Sequence, residues 1–222
     1  MTTQHQPIEL YYSATPNGRK ITIMLEELAV PYDLNYIRLS RGEQFTPEFM
    51  AISPNSKIPA IVDPEGPGGA PISIFESGAI LKYLGTKFSR FYPSEPRTQV
   101  AVDEWLFWQV GGFGPMLGQV VHFLHDAPER HDYAIHRFTT EAHRLYRVLD
   151  TRLRDRDYVA GDYSIADIAC FTWAIRNHRH GIDIAEFPSV VNWIARIGAR
   201  PAVSKALAIP ETPAPKVLSS QR

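Results

Sequence analysis

Between residues 8 and 87 short strand signals alternate with helical ones, and beyond residue 96 only helical signals remain. Such a chain has few ways to bury its apolar surface. The strands must pair into one small sheet with helices laid on it, and the later helices must bury their faces on one another. Residues 8–12 have strand character and are broken by Thr15-Pro16-Asn17-Gly18. Ile21, Met24, Leu25 and Leu28 then recur at helical spacing, with Glu26 and Glu27 on the opposite face. Residues 35–39 read as a second strand and 47–50 as a short helix. Residues 58–62 and 72–75 bracket a turn-rich stretch and read as a hairpin. Residues 77–87 form a helix carrying Ile80, Leu81, Tyr83 and Leu84. The order is β-α-β-α-β-β-α.

Residues 91–96, with Pro93 and Pro96, look like a linker. Trp105, Leu106, Trp108 and Gln109 open a long apolar-rich helix, loosened around Gly111, Gly112, Gly114 and Pro115. Residues 133–153 carry Phe138, Leu145, Val148 and Leu149 at helical spacings. Ser164 and Asp167 form an N-terminal helix box, and Pro188 suits the first turn of a further helix with Val191, Trp193 and Ile194. The expected division is a mixed α/β unit over 1–88, a linker over 89–96, an all-helical unit over 97–209 and a Pro-containing polar tail over 210–222.

With 44% hydrophobic residues in 222, the chain has ample apolar material for a core. A net charge of −1 leaves no electrostatic footprint for nucleic acid. The single cysteine, Cys170, rules out a disulfide within the chain, which fits a reducing compartment. Residues 1–9 are polar and lack the apolar core of a secretory signal. No window has the length of unbroken apolar residues that spans a bilayer. The expectation is a cytoplasmic protein without a membrane partner.

Three spots carry the chemistry. The first is Thr15-Pro16-Asn17-Gly18, where the first strand turns into the first helix. The β-α-β, β-β-α order is the thioredoxin plan, and a protein oxidoreductase would place Cys-x-x-Cys there. Here there is no cysteine nearby, so any thiol must arrive with a ligand. The second is Asn55-Ser56-Lys57-Ile58-Pro59, a proline opening a strand; in thioredoxin-like proteins this bond is cis, and a cis Ile58–Pro59 bond is expected. The third is Glu76-Ser77-Gly78, where free N–H groups at a helix start would take a carboxylate.

Together these spots resemble the glutathione site of soluble glutathione transferases. Residues 15–22, 52–61, 75–81 and 105–112 (Trp-Leu-Phe-Trp-Gln-Val-Gly-Gly) narrow the likeness to the bacterial nu class, relatives of the fungal prion nitrogen regulator that act as glutathione-dependent disulfide-bond oxidoreductases. The box Tyr163-Ser164-Ile165-Ala166-Asp167 resembles the general transferase capping motif. The likeness runs from about residue 8 to about residue 207.

The resemblance implies a role for each matching residue. The cysteinyl unit of glutathione should pair with the Ile58 backbone as an added strand. Its γ-glutamyl carboxylate should sit on Ser77 and its ammonium on Glu76. Lys57 and Gln44 match the positions nearest its glycine carboxylate, and Arg137 the position that meets a second glutathione or a carboxylate. The sulfur should face Thr15 and Asn17, the implied catalytic pair. A free thiol with a pKa of about 8.5 is only about 3% thiolate at pH 7. Lowering it by about two units needs about 2.7 kcal/mol, within reach of two charge-assisted hydrogen bonds. Nu-class enzymes hold two glutathione molecules, or oxidised glutathione, in one site, and are homodimers. Phe113 and Phe123 are candidates for the apolar wall at the mouth.

Plainer readings stand beside these. Thr15-Pro16 can end a strand, Asn17 can be only a helix cap, and Glu76 with Ser77 another cap. Lys57 and Arg137 can be solvated charges. Cys170 in its apolar helix reads as a small core residue. His122, His125, His131, His136 and His143 show no metal-ligand spacing, so no metal is expected. Two other functions remain open: conventional conjugation of glutathione to electrophiles, and a non-catalytic regulator or interaction module on the same fold.

Overall fold

The structure, a computed structural model, describes residues 5–211. Four strands, β1 (Ile8–Tyr12), β2 (Tyr32–Tyr36), β3 (Ala60–Asp63) and β4 (Ile72–Phe75), form one sheet in the order β2-β1-β3-β4. β1 runs parallel to β2, and the other two pairings are antiparallel. Ile8, Leu10 and Tyr12 of β1 alternate into the core. The sequence places the second strand at 35–39; it lies instead at 32–36, in register from Ile8↔Tyr32 to Tyr12↔Tyr36. As an edge strand it has a partner on one side only, and Tyr32, Leu34 and Tyr36 are half-buried. The third strand starts at Ala60 rather than at residue 58, because Pro59 has no N–H to give the ladder.

Helix α1 (Pro16–Leu28) crosses from β1 to β2. Thr15 caps it, with Pro16 in the first turn. Ile21, Ile23, Met24 and Leu25 are fully buried; each such side chain contributes about 1.5–3 kcal/mol. The supposed polar face is covered too. The Arg200 guanidinium donates twice to the Glu27 carboxylate, at 2.5 and 2.9 Å, and Lys205 pairs with Glu26 at 2.7 Å. Those cations cap and occupy α9 (Pro201–Leu207), a helix absent from the expected set. The short α2 (Pro47–Ile52) and α3 (Ser77–Lys87) stand where the pattern puts them.

The later helices are α4 (Pro96–Trp108), α5 (Gly114–Val121), α6 (Asp132–Leu153), α7 (Ile165–Ala174) and α8 (Pro188–Gly198). α4 begins at Pro96, a residue that the sequence pattern assigns to the linker; Glu95 caps it, accepting from the Arg97 and Thr98 N–H groups. Between α4 and α5, Gln109–Phe113 winds as a π-helix, so the loosening expected at Gly111 and Gly112 is a widened turn. A second π-turn spans His122–Asp126. Phe113 is no mouth residue: it is wholly buried and stacked on Trp108 at 4.9 Å. Phe123 stacks on Phe138 at 5.5 Å. No helix among the described residues is long and apolar enough to cross a membrane. The expected tail, beyond Glu211, lies outside the described residues.

The box at α7 is closed at both ends. Asp167 is fully buried and accepts from the Val159 and Ser164 N–H groups, the Ser164 hydroxyl and the Trp193 indole. Asp167→Ala strands these donors in the core and should lower the unfolding free energy by about 3 kcal/mol, read from urea denaturation. A loss below about 1 kcal/mol would show that the box carries little of the fold.

Candidate functional site

The start of α1 offers two hydrogen-bond donors. Thr15 Oγ1 accepts from the Gly18 N–H at 3.1 Å, so its own proton is left for another acceptor. Gly18 is required: a Cβ there would lie 2.2 Å from the Ser13 carbonyl oxygen. Asn17 is in the first turn and is not the cap, contrary to its plainer reading. Its Oδ1 accepts from Trp173 Nε1, on α7, at 3.1 Å. An indole N–H can only donate, so the amide NH2 of Asn17 must face the other way. Thirteen residues of helix add their dipole behind both groups.

The start of α3 offers the complementary set. Glu76 precedes it with φ +69° and ψ 114°, and its exposed carboxylate makes no bond to the helix. It is therefore no ordinary cap and is free to take a cation. Ser77 is buried, and its Oγ accepts from Lys20 Nζ at 3.1 Å. Lys20 also donates to Gln109 Oε1 at 2.5 Å, reaching the π-turn of the helical half. Burial pushes the Lys20 ammonium down to about 7, against the opposing influence of Cys170 and Glu76.

The Ile58–Pro59 bond is cis, and Ile58 lies half-buried just before β3. Lys57 is exposed; its carbonyl accepts from Ser53 Oγ at 2.8 Å. Gln44 sits in the 3-10 turn Glu43–Phe45, its Oε1 buried without a partner among the described residues. Arg137 is exposed on α6, lining a cleft of about 510 Å³ with Met116, Tyr133 and Phe138. Among the described residues no hydrogen bond joins Gln44, Lys57 or Arg137 to the Thr15 and Ser77 groups.

Cys170 is fully buried on α7, and burial pushes its thiol up, which disarms it as a nucleophile. Among the described residues no group of three or more His, Cys, Asp and Glu side chains is placed to hold a metal ion.

Sequence reasoning missed Lys20, Gln109 and Trp173. Lys20 had a signal: it falls on one helical face with Ile23, Met24 and Glu27, all buried. Gln109 and Trp173 had none, since their partners are 89 and 156 positions away.

The glutathione S-transferase N-terminal domain family matches residues 14–87, and the glutathione S-transferase C-terminal domain family matches residues 115–201. The disulfide-bond oxidoreductase YfcG of Escherichia coli is 53% identical over 202 residues, covering 90% of this chain and 94% of that one. The chain belongs to the glutathione S-transferase family. Two solved glutathione transferases show the same fold. One, from Pseudomonas putida with one glutathione disulfide bound per subunit, is 41% identical, covers 92% of both chains and has a TM-score of 0.88. Another, from Burkholderia graminis with two glutathione molecules bound per subunit, is 42% identical, covers 92% of this chain and 88% of that one, and also has a TM-score of 0.88. In this transferase fold α1, α3, α7 and the π-turn meet in one seam, to which Asn17 is tied through Trp173 and Ser77 through Lys20 and Gln109.

Gly114 keeps that seam tight. A Cβ there would lie 2.5 Å from Gln109 Nε2 and 3.2 Å from Trp173 Nε1, whereas at Gly118 the nearest atom, in the Trp173 ring, is 3.5 Å away. Gly114→Ala should destabilise the protein by about 1–3 kcal/mol, while Gly118→Ala should be neutral or stabilise by up to about 1 kcal/mol. Paired urea denaturation curves check this; equal effects at the two glycines would contradict the packing.

Proposed function

We propose that the protein is a cytoplasmic glutathione-dependent disulfide-bond reductase. The observation that carries this reading is the arrangement at α1, where the capped Thr15 hydroxyl and the Asn17 amide held by Trp173 are both left as donors and the nearest protein thiol is buried. Glutathione would bring the sulfur. Its γ-glutamyl carboxylate would sit at Ser77, its ammonium at Glu76 and its cysteinyl backbone on Ile58. Lys57 and Gln44 would face the glycine carboxylate, and Arg137 a carboxylate of the second glutathione.

The glutathione thiolate attacks one sulfur of the substrate disulfide. A glutathionyl mixed disulfide forms, and the other sulfur leaves as a thiolate that takes a proton. A second glutathione thiolate attacks the glutathione sulfur of the mixed disulfide. The remaining substrate thiol leaves and glutathione disulfide is the product. Two glutathione molecules are oxidised for each disulfide reduced. Thr15 and Asn17 stabilise the thiolate, raising the fraction that can attack.

The functional unit is proposed as a homodimer. Phe45, Met50 and Phe75 of the sheet half and Val100 and Phe107 of α4 are exposed and apolar, which supports a covered face. Light scattering at twice the mass of one chain tests it; a monomer at micromolar concentration contradicts it.

Thr15→Ala and Asn17→Ala should each lower turnover of a small disulfide about tenfold, in an assay that follows glutathione disulfide. Unchanged rates in both would refute the roles given to them. Faster turnover of a chloronitrobenzene electrophile than of the disulfide would make conjugation the activity instead, and no turnover of either would favour the regulator.

A further inference from the structure

Directly behind Ser77 lies a buried ammonium to which the chemistry above gives no part. Lys20 Nζ is held by Ser77 Oγ at 3.1 Å and Gln109 Oε1 at 2.5 Å, and the residue is only 1% exposed. Both partners are neutral. Among the described residues no carboxylate forms an ion pair with Lys20. A buried lysine without an anion is costly and rare. A charged ammonium can only donate, so the Ser77 oxygen must accept from it, and the hydroxyl proton must go to another acceptor.

We propose that Lys20 is a positioning residue for glutathione: it turns the Ser77 hydroxyl proton toward the γ-glutamyl carboxylate, and its ammonium is the counter-charge for that carboxylate. The inference rests on the glutathione reading above. It adds a buried cation from α1 to a subsite otherwise built of a helix start and a hydroxyl, and it ties that subsite to Gln109 of the helical half.

The elements around Lys20 supply little other charge. From the start of α3 comes the exposed Glu76 carboxylate, the acid that acts on it. From α7 comes Cys170, kept neutral by burial, with Asp167 one turn before it pushed up to about 6 by burial. The π-turn contributes only the neutral Gln109. From α9 and its cap, Arg200 and Lys205 are engaged by Glu27 and Glu26 farther along α1. With burial holding Lys20 near 7, much of it is neutral in the free protein above that pH. A carboxylate arriving at Ser77 favours the charged form, so the pKa rises on binding and a proton is taken up. Affinity should therefore weaken as pH rises from about 7 to 8.

The test uses S-methylglutathione, whose thiol cannot titrate, and its analogue in which the γ-glutamyl α-carboxylate is replaced by hydrogen. Lys20→Met keeps the volume and removes the charge. It should weaken S-methylglutathione at least about tenfold and the decarboxylated analogue less than about twofold. Equal weakening of both would mean that Lys20 only supports the fold, and an unchanged affinity for S-methylglutathione would equally overturn its role. If the wild-type protein binds no S-methylglutathione, the glutathione reading itself fails and takes this inference with it. A second measurement needs no variant: calorimetry of the wild-type protein with S-methylglutathione at pH 7.5, in two buffers of different ionisation enthalpy. It should show uptake of at least about one third of a proton, and zero uptake would contradict the proposal.

Discussion

Helix α1 packs against α3, α7 and α9 and shares its core with the buried side chains of β1, and the geometry of the site follows from that clamp. The same helix presents Thr15 and Asn17 at its N-terminus, Lys20 in its middle and the Glu26 and Glu27 anchors near its end. The Arg200–Glu27 pair fixes the far end, with both partners largely shielded and the guanidinium bonded at two nitrogens. Such a pair holds an orientation better than a single-contact surface bridge does. If α1 rotated, the Asn17 amide and the Lys20 ammonium would leave their partners together, and the Thr15 donor would turn with them.

The two ends of the proposed glutathione site are also linked through the helical half. Trp173 sets the Asn17 amide, and Gln109 sets Lys20 and through it Ser77. Gly114 lets Gln109 and Trp173 approach within the space that a methyl group would fill. The π-turn Gln109–Phe113 matters because it places Gln109 inward at a point where Gly111 is exposed. Local widening of a helix at such a point is a common device near functional groups. In the proposed site the sulfur end and the carboxylate end of one ligand would thus be positioned by a single packed seam, and a change in that seam would reach both.

Much of this was legible in the sequence where local chemistry decides the outcome. The first strand, the fourth strand and α3 fall where their patterns put them, and the Ser164–Asp167 box closes as its spacing requires. The cis bond at Ile58–Pro59 followed from the family likeness. The second strand was displaced by three residues because an edge strand is only half-buried, and its alternation of Tyr32, Leu34 and Tyr36 competes with apolar Ile37 and Leu39 just beyond. α9 escaped because Pro201–Leu207 is short and its burial is supplied mainly by α1, far away in sequence. Phe113 was misplaced because a π-turn breaks the 3.6-residue count that assigns faces. Glu27 looked like a surface charge because its partner, Arg200, lies 173 positions away. Residues whose role is a long-range hydrogen bond leave almost no trace in a single sequence.

The central claim is that α1 holds the sulfur of glutathione as a thiolate through Thr15 and Asn17. The most direct measurement is the thiolate absorbance near 240 nm of glutathione bound to the protein, titrated with pH. The account predicts a midpoint about two units below the ordinary value of about 8.5, returning toward that value in a Thr15→Ala, Asn17→Ala double variant that still binds glutathione. A bound thiol that titrates at its ordinary value in the wild-type protein would contradict it.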